Sequence, residues 1–459
     1  MHDPLPVESH LHLDLADPLC AEIVSGVVQN KQEAVDYLTW SLFYRRLTKN
    51  PNYYNLLGID DDILSDYLSE LVENTLAELD ESKCIAVDDN DMDLSPLNFG
   101  MIASHYYVQH TTIKLFAANL RAQSKLRRVL DVLVSAEEFE EVPVRQGEEG
   151  LLAALSKRLP VPLTEPDFAE SRIKAHVLLQ LHFSRRELSA DQREDLDKIL
   201  DQALRLLQAM VDILSSNGWL RPALAAMELS QMLVQARWNT DSPLLQIPHF
   251  NKEIVARCNA AGVKRVEDIG ELEEDKLNEV LGLGPQEMQE AADFCNSYPD
   301  LDLQVAIKSG KTAYTGEPVV VEVVLERVED EEDVDVDGGE GEDRKRKRDD
   351  EPTPAKVYGK VIAPFYPKPK IEAYWLVIGD PKENMLLSIK KVSLAKQARF
   401  ALEFDAPKSA GDHELKLYLM CDSVQGVDQV VDVHLHVEPS VGGDGAGSSS
   451  ESGSGSDSE

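Results

Sequence analysis

The sequence predicts a multidomain α+β protein in which a winged helix, a helical bundle, a helix-hairpin-helix and an immunoglobulin-like β-sandwich follow one another. Three observations predict this order. The length of 459 residues is too great for one hydrophobic core. Apolar residues recur at helical spacing until about residue 300, and then alternate with a period of two. Between the helical stretches lie breaks rich in Pro, Gly and Asn, which indicate separate units.

Residues 1–98 contain two helical patterns followed by two short β-like segments, and that order predicts a winged helix. Asn30 followed by Glu33 is a helix start of the capping-box kind. Basic and aromatic residues cluster where the first helical pattern ends, and such a mixture can hold nucleic acid by phosphate contact and base stacking. Alternatively, the aromatic rings pack the core and the cations are solvated. The cluster comprises Tyr44, Arg45, Arg46, Lys49, Tyr53 and Tyr54.

Residues 99–243 are helical in pattern throughout, and their short connections favour antiparallel neighbours in a bundle. The last helix, within residues 217–238, is the most apolar. An Asn-Gly pair at 217–218 ends the preceding helix, and Pro222 fits the first turn of the next. A helix apolar on nearly all sides should be buried. Its few polar groups face either a partner or the rim of a core; they are Gln231, Gln235 and Arg237.

Residues 244–299 form a smaller helical unit with glycine turns at 261–263 and 281–284. Glycine between apolar residues in a tight helical turn is the helix-hairpin-helix pattern, whose backbone N–H groups can bind a phosphate. Acidic residues surround these turns, so the indication of phosphate binding is weak here. The pattern therefore predicts the fold of this unit rather than a ligand.

Residues 300–438 contain short alternating strands separated by turn residues, which predicts the immunoglobulin-like β-sandwich. A charged loop at 329–356 interrupts the strands, and an acidic tail follows at 439–459; both are predicted to be disordered. The loop contains a basic run of the size of a nuclear-localisation signal. Equally, the run can be a solvated stretch of charge that its acidic neighbours balance, with no role as a signal. The run comprises Arg344, Lys345, Arg346, Lys347 and Arg348.

Composition and motifs exclude several classes of function. The formal net charge of −37 argues against a general nucleic-acid coat, although a local basic groove remains compatible with it. The sequence has no apolar run long enough for a transmembrane helix and no signal-peptide pattern at its start. Five dispersed cysteines suggest neither a zinc ribbon nor a disulfide framework. No catalytic motif is present, so we expect no catalytic residues, no metal and no cofactor.

Several segments resemble one family. The chain is similar to the C-terminal end of the large two-cassette RNA helicases of the spliceosome, found in the U-five small nuclear ribonucleoprotein, and most similar to their second cassette. The last three regions resemble the Sec-sixty-three homology unit, named after a protein of ER translocation. The matching segments are Pro-Leu-Pro-Val-Glu-Ser-His-Leu at 4–11, Ala-Val-Asp-Tyr-Leu-Thr-Trp at 34–40, Tyr-Arg-Arg at 44–46, Asn-Pro-Asn-Tyr-Tyr at 50–54, Ser-Lys-Cys-Ile at 82–85 and Asn-Gly-Trp-Leu at 217–220.

The resemblance implies a non-catalytic nuclear module of such a helicase, which docks spliceosomal proteins and contacts RNA, with no membrane partner. The family's ATP and Mg sites lie in RecA-like domains that this sequence does not show. A long bundle helix lines the family's RNA channel, and the corresponding candidates here are Arg221, Gln231, Gln235 and Arg237. Two alternatives stay open: an ER translocation component sharing the same unit, and a truncated gene model of a full ATP-dependent RNA helicase.

Overall fold

The computed structural model describes residues 7–88, 92–308, 310–328 and 359–439. Within these residues, helices occupy the chain up to Ser297 and strands follow from Leu301, apart from one early β-hairpin. The predicted change of period near residue 300 is therefore confirmed. None of the helices in these four ranges is both long and apolar enough to cross a membrane.

The first unit consists of helices followed by a β-hairpin, as expected of a winged helix. The Asn30 side chain accepts a hydrogen bond from the backbone N–H of Glu33 at 2.9 Å. The Glu33 carboxylate accepts from the backbone N–H of Gln29 rather than from that of Asn30, so only half of the predicted capping box forms. The elements are α1 (Ala16–Val24), α2 (Lys31–Thr39), α3 (Leu42–Lys49), α4 (Asp61–Glu81), β1 (Ile85–Val87) and β2 (Leu94–Pro96).

The bundle contains seven helices in the described part of the chain. The helical pattern over residues 100–121 forms two helices, because Tyr107 adopts a left-handed φ of 53° and ends the first of them. Ser189 and Gln192 form a capping box at the start of the sixth of the seven helices. The helices are α5 (Asn98–Tyr106), α6 (His110–Asn119), α7 (Leu126–Leu133), α8 (Glu148–Ser156), α9 (Ser171–Phe183), α10 (Ala190–Ser216) and α11 (Leu220–Gln235).

The third unit has its own small core around three helices: α12 (Lys252–Ala260), α13 (Glu274–Leu281) and α14 (Pro285–Ser297). Gly262 and Gly282 both have a left-handed φ, of 93° and 60°. An L side chain rarely adopts this conformation, which accounts for glycine at both turns. The glycine turns between short helices are thus present, and the assignment as a helix-hairpin-helix stays a prediction.

The last unit has two sheets that share one hydrophobic core. Strands pair in the order β10-β5-β3 in one sheet and β4-β12-β11-β8-β9 in the other, antiparallel except between β4 and β12. A two-stranded ribbon, β6-β7, adds to them. An immunoglobulin-like topology stays a prediction. The strands are β3 (Leu301–Ile307), β4 (Thr312–Tyr314), β5 (Pro318–Arg327), β6 (Lys360–Val361), β7 (Lys370–Ile371), β8 (Tyr374–Asp380), β9 (Met385–Val392), β10 (Gln397–Asp405), β11 (Gly411–Cys421) and β12 (Gln429–Glu438).

Helix α11 lies between the bundle and the larger sheet. Ala226, Met227 and Leu233 belong to the bundle core, which also includes Trp375 from β8. Val234 belongs instead to the core of the two sheets. The helix therefore contributes to both cores. The prediction that this helix is buried is confirmed.

Candidate functional site

The start of α11 is fixed to the hairpin that joins β8 and β9. Gly218 has a φ of 69°, the left-handed conformation expected of it, and its carbonyl accepts a hydrogen bond from the backbone N–H of Leu386 at 2.8 Å. The Asn384 side chain accepts from the backbone N–H of Arg221 at 2.9 Å. The Arg221 side chain is exposed and donates to the carbonyl of Pro381 at 3.1 Å. The helix therefore begins at a point set by the sheet unit.

The middle of α11 is bound to the segment joining β11 to β12, which we call the 421–428 loop. The Ser230 hydroxyl donates to the carbonyl of Asp422 at 2.8 Å. The Gln231 amide donates to the carbonyl of Cys421 at 2.8 Å and to the Asp428 carboxylate at 2.9 Å. One turn further on, the Gln235 amide donates to a third loop carbonyl, of Ser423, at 2.9 Å. This face of the helix is thus a row of donors for one loop.

The helical unit of residues 244–299 holds the same loop from another direction. The Gln246 amide donates to the carbonyl of Gln425 and accepts from its backbone N–H, both at 2.8 Å. The Tyr298 hydroxyl donates to the same carbonyl at 2.9 Å. Gly426 has a φ of 95°, and a Cβ there would lie 2.8 Å from the Tyr298 hydroxyl oxygen. The 421–428 loop therefore joins all three units that follow the winged helix.

One carboxylate in this contact has an altered pKa. Burial raises the pKa of Asp428 to about 6, although hydrogen bonds from Gln231 and from the backbone of Cys421 favour the charged form. Desolvation disfavours a carboxylate and outweighs these hydrogen bonds, so the folded state is most stable when Asp428 carries a proton. The stability of the folded state at this site should consequently fall as the pH rises towards about 6.

A cavity of about 780 Å³ opens at the other end of α11, between α7, the end of α9 and the start of α12. We call it the Arg237 cavity. Among its lining residues in the described part of the chain, Asp241 is the one acid, whereas the cations are six. They are Arg127, Arg158, Arg185, Arg186, Arg237 and Lys252. In a chain of net charge −37 this is a local reversal of charge.

Arg237 lies deepest among these cations. Arg237 is 3% exposed, and its Nη2 donates a hydrogen bond to the carbonyl of Asp241. Its Nε and Nη1 have no partner among the described residues. Burial lowers the pKa of Arg237 to about 10, with Asp241 opposing and Arg185 adding to the shift. The group stays charged at neutral pH, so its charge is held in the protein with incomplete compensation.

Arg185 occupies the same end of the helix in a different way. It donates to the carbonyls of Gln235 and Ala236, both at 3.0 Å, and so satisfies carbonyls that the end of α11 leaves without helical partners. Its guanidinium carbon lies 4.4 Å from the centre of the Phe365 ring. Burial lowers the pKa of Arg185 to about 10. Arg185 is therefore a cap whose hydrogen-bond partners are neutral, and Asp241 opposes the lowering of its pKa.

The structure places the four RNA-channel candidates in three different environments. Gln231 and Gln235 are each 2% exposed and are hydrogen-bonded to the 421–428 loop, so neither amide is accessible in this arrangement. Arg237 lines the cavity, and Arg221 is exposed near the β8–β9 hairpin. The four side chains do not form one lining. RNA contact by them stays a prediction.

The residues of the winged-helix cluster also lie in different environments. Arg46 donates to the Glu8 carboxylate at 3.0 and 2.5 Å, which holds the pKa of Glu8 at about 2. The buried Tyr54 hydroxyl donates to the same carboxylate at 3.1 Å. Tyr44 packs against the core of the unit. The residues left exposed for nucleic acid are Arg45, Lys49 and Tyr53, and their binding role stays a prediction.

The basic run and the expectation about metal sites are the two remaining features of the sequence. The basic run Arg344–Arg348 lies outside the described residues. The described residues contain no group of three or more potential ligands for a metal ion.

The signal that could have revealed the Arg237 cavity in the sequence was weak, because its cations come from five separate segments of the chain.

Comparison with known proteins places these features in a family. A family model described as the Sec63 Brl domain matches residues 96–434, and a second, described as a winged helix-turn-helix domain, matches residues 8–89. The U5 small nuclear ribonucleoprotein 200 kDa helicases of Drosophila melanogaster and Homo sapiens are 48% and 46% identical to this chain over 94% of its length. A DExH-box ATP-dependent RNA helicase of Arabidopsis thaliana is 43% identical over 97%.

The match to these relatives is confined to one part of them. The chain spans 19% of the length of the Drosophila and human helicases and 20% of the Arabidopsis helicase. The predicted winged helix and the resemblance to the spliceosomal helicases are confirmed by these matches. Since the Sec63 Brl model covers well over half of the sequence, this chain belongs to the Sec63 Brl domain family, with a winged-helix domain preceding the matched region.

Proposed function

We propose that this chain is the C-terminal module of a spliceosomal RNA helicase, acting in the nucleus in pre-mRNA splicing and small nuclear RNA remodelling. The sequence identity of 46–48% to U5 small nuclear ribonucleoprotein helicases over 94% of the chain carries this proposal. Neither matched family model is an ATP-hydrolysing domain, so we assign the module no catalytic step.

Within that role we propose protein docking as the main task. The 421–428 loop receives hydrogen bonds from α11 and from the unit of residues 244–299, and these contacts couple the units that the Sec63 Brl model covers. A surface composed of several coupled units presents a fixed shape to a partner, so less conformational entropy is lost on binding. The burial of Gln231 and Gln235 supports docking over RNA contact along this helix.

The ER translocation component remains a weaker candidate. The relatives of 43–48% identity are, by their names, helicases of the U5 small nuclear ribonucleoprotein or DExH-box ATP-dependent RNA helicases. No contact among the described residues favours translocation. A fluorescent fusion outlining the ER instead of filling nuclei would reverse this ranking.

Affinity capture from nuclear extract tests the docking proposal. The tagged chain should retain proteins of the U5 small nuclear ribonucleoprotein, identified by mass spectrometry. A Gln231→Ala, Gln235→Ala double variant should retain less of them, because the coupled surface loosens. Gln289→Ala changes an exposed glutamine on α14 and serves as the matched control. Capture that lacks these proteins with the parent chain would overturn the proposal.

A further inference from the structure

The Arg237 cavity has the composition of a binding site for an anion. Its volume of about 780 Å³ lies within the range of ligand pockets in proteins. In the described part of the chain six cations and one carboxylate line it, and the net charge of the chain is strongly negative. Lys252 is also the first residue of α12, whose N-terminal end adds a partial positive charge. The positive potential is therefore local to this cavity.

The unpaired atoms of Arg237 point to a ligand rather than to a structural role. A residue that is 97% buried normally has all its polar atoms paired, because an unpaired buried charge is costly. Arg237 has two N–H sites, Nε and Nη1, that no described residue accepts from. Oxygen acceptors carried by a ligand in the cavity would complete its hydrogen bonding. Charge-assisted bonds of this kind are stronger than those between neutral groups.

The balance of charge favours a group with more than one negative charge. Arg185 lies close enough to Arg237 to lower the pKa of Arg237, and Asp241 is the one carboxylate among the described residues of the cavity lining. The hydrogen-bond partners of Arg185 are carbonyls, which carry no counter-charge, so Arg185 and Arg237 share Asp241. A phosphate monoester has a charge of about −1.5 to −2 at neutral pH, which matches this excess better than one carboxylate does.

The walls of the cavity favour a peptide as the carrier of the phosphate. Side chains of Leu126, Leu130, Phe183 and Phe250 contribute apolar surface beside the cations. Apolar surface next to an arginine cluster suits a phosphorylated residue with apolar neighbours. RNA, a polyanion, would also be repelled by the negative charge over most of this chain.

We propose that the Arg237 cavity binds a phosphorylated segment of a partner protein, with the phosphate on Arg237 and apolar side chains of the segment on the wall formed by α7 and Phe183. Arg158 and Arg186, both exposed at the rim, attract the phosphate. The inference rests on the proposed docking role only in taking the ligand to be a protein.

Fluorescence anisotropy with the full chain tests this proposal directly. The probes are a labelled peptide with phosphoserine between leucines, the same peptide unphosphorylated, its aspartate form, and a labelled uridine-rich single-stranded RNA. The phosphopeptide should bind about tenfold or more tightly than the unphosphorylated peptide, as expected for several charge-assisted hydrogen bonds. Equal binding of the two peptides, or tighter binding of the RNA, would overturn the proposal.

Three variants assign the binding to the cavity. Arg158→Glu with Arg186→Glu reverses the rim charge, and Arg237→Met removes the buried guanidinium; each should weaken phosphopeptide binding about tenfold or more. Arg172→Glu changes an exposed arginine of α9 outside the lining and should leave affinity unchanged. If Arg237→Met fails to fold, the rim variant decides. Affinity that survives the rim reversal would place the peptide elsewhere and reject the cavity.

The two proposals can fail separately. Phosphopeptide binding to the cavity without capture of U5 small nuclear ribonucleoprotein proteins would reject the spliceosomal assignment and keep the anion site. Capture of those proteins with no preference for phosphopeptide would keep the docking role and reject the anion site.

Discussion

The middle and the end of helix α11 are buried to the same extent and differ in how their polar groups are satisfied. Gln231 and Gln235, each 2% exposed, donate to oxygen atoms of the 421–428 loop. Arg237, at 3%, follows Gln235 by two residues and keeps two N–H sites without a partner in the described chain. Burial alone therefore does not distinguish a structural residue from a ligand-binding one. What distinguishes the two is whether each buried polar atom has a hydrogen-bond partner.

Charge sharpens the same comparison. The amides in the middle of α11 are neutral, and a buried neutral donor needs only an acceptor. The guanidinium at the end also needs a counter-charge, and Asp241 is shared between Arg237 and Arg185. The buried amides in the middle of the helix thus have their hydrogen-bond partners within the chain. The guanidinium at its end has two N–H sites without an acceptor among the described residues.

The largest effect is expected from Gln231→Ala. This change removes the donor to Cys421 and Asp428 and leaves both acceptors without it. The free energy of unfolding should fall by about 3 kcal/mol, since buried acceptors lose a hydrogen bond and a small void forms. Urea titration followed by circular dichroism measures the loss. The exposed Gln289→Ala should cost less than about 0.5 kcal/mol, and equal costs for the two would show that the loop contact does not hold the helix.

The next effect is a dependence on pH at Asp428. The folded pKa of about 6 lies above the ordinary value of 3.8, so this group stabilises the fold fully below about pH 3.8 and loses that contribution as the pH rises through 6. The loss is about 2 kcal/mol, allowing for the partial exposure of the carboxylate. Asp428→Asn does not titrate. The stability difference between variant and parent should therefore shift in favour of the variant as the pH rises from about 3.8 to about 6. A parallel pH profile for the two proteins would contradict the altered pKa.

Sequence patterns predicted the elements of α11 well because local rules set them. The Asn-Gly stop before it, the proline in its first turn and the apolar face all act over a few residues, and the helix runs over Leu220–Gln235. Its predicted end at residue 238 was too late, because Ala236 takes a left-handed φ of 49° that the sequence does not announce. That turn is held by Arg185, which lies 51 residues earlier. Long-range capping of this kind has no local signal.

The partners of the polar groups were not predictable from the sequence. Gln231 meets Asp428, and Gln246 meets Gln425, across about 180 to 200 residues of chain. Periodicity identifies which side chains are on a buried face but not what they meet there. The winged-helix cluster shows the same limit, since Arg46 and Tyr54 are bound to Glu8 while Arg45 and Lys49 stay exposed.

A smaller effect is expected from Arg237→Met. The change removes one hydrogen bond to Asp241 together with an incompletely compensated buried charge, and these contributions oppose each other. The free energy of unfolding should change by about 1 kcal/mol or less in either direction. Arg185→Met is the matched control, because that residue is as basic and lines the same cavity. It should cost about 2 kcal/mol, since two helix-end carbonyls lose their donor. A larger cost at Arg237 than at Arg185 would mean that Arg237 is structural.

The smallest effect is expected from Arg221→Ala, at the other end of the helix. The side chain is exposed and makes one hydrogen bond, to Pro381, while the contact with Asn384 uses the backbone N–H and survives the change. The free energy of unfolding should fall by less than about 0.5 kcal/mol. Because stability is preserved, this variant isolates the one exposed candidate for the RNA channel on α11. A loss of affinity for single-stranded RNA in a filter-binding measurement would then assign RNA contact to the start of the helix, leaving its middle to the loop. A stability cost near that of Gln231→Ala would instead make the start of the helix as structural as its middle.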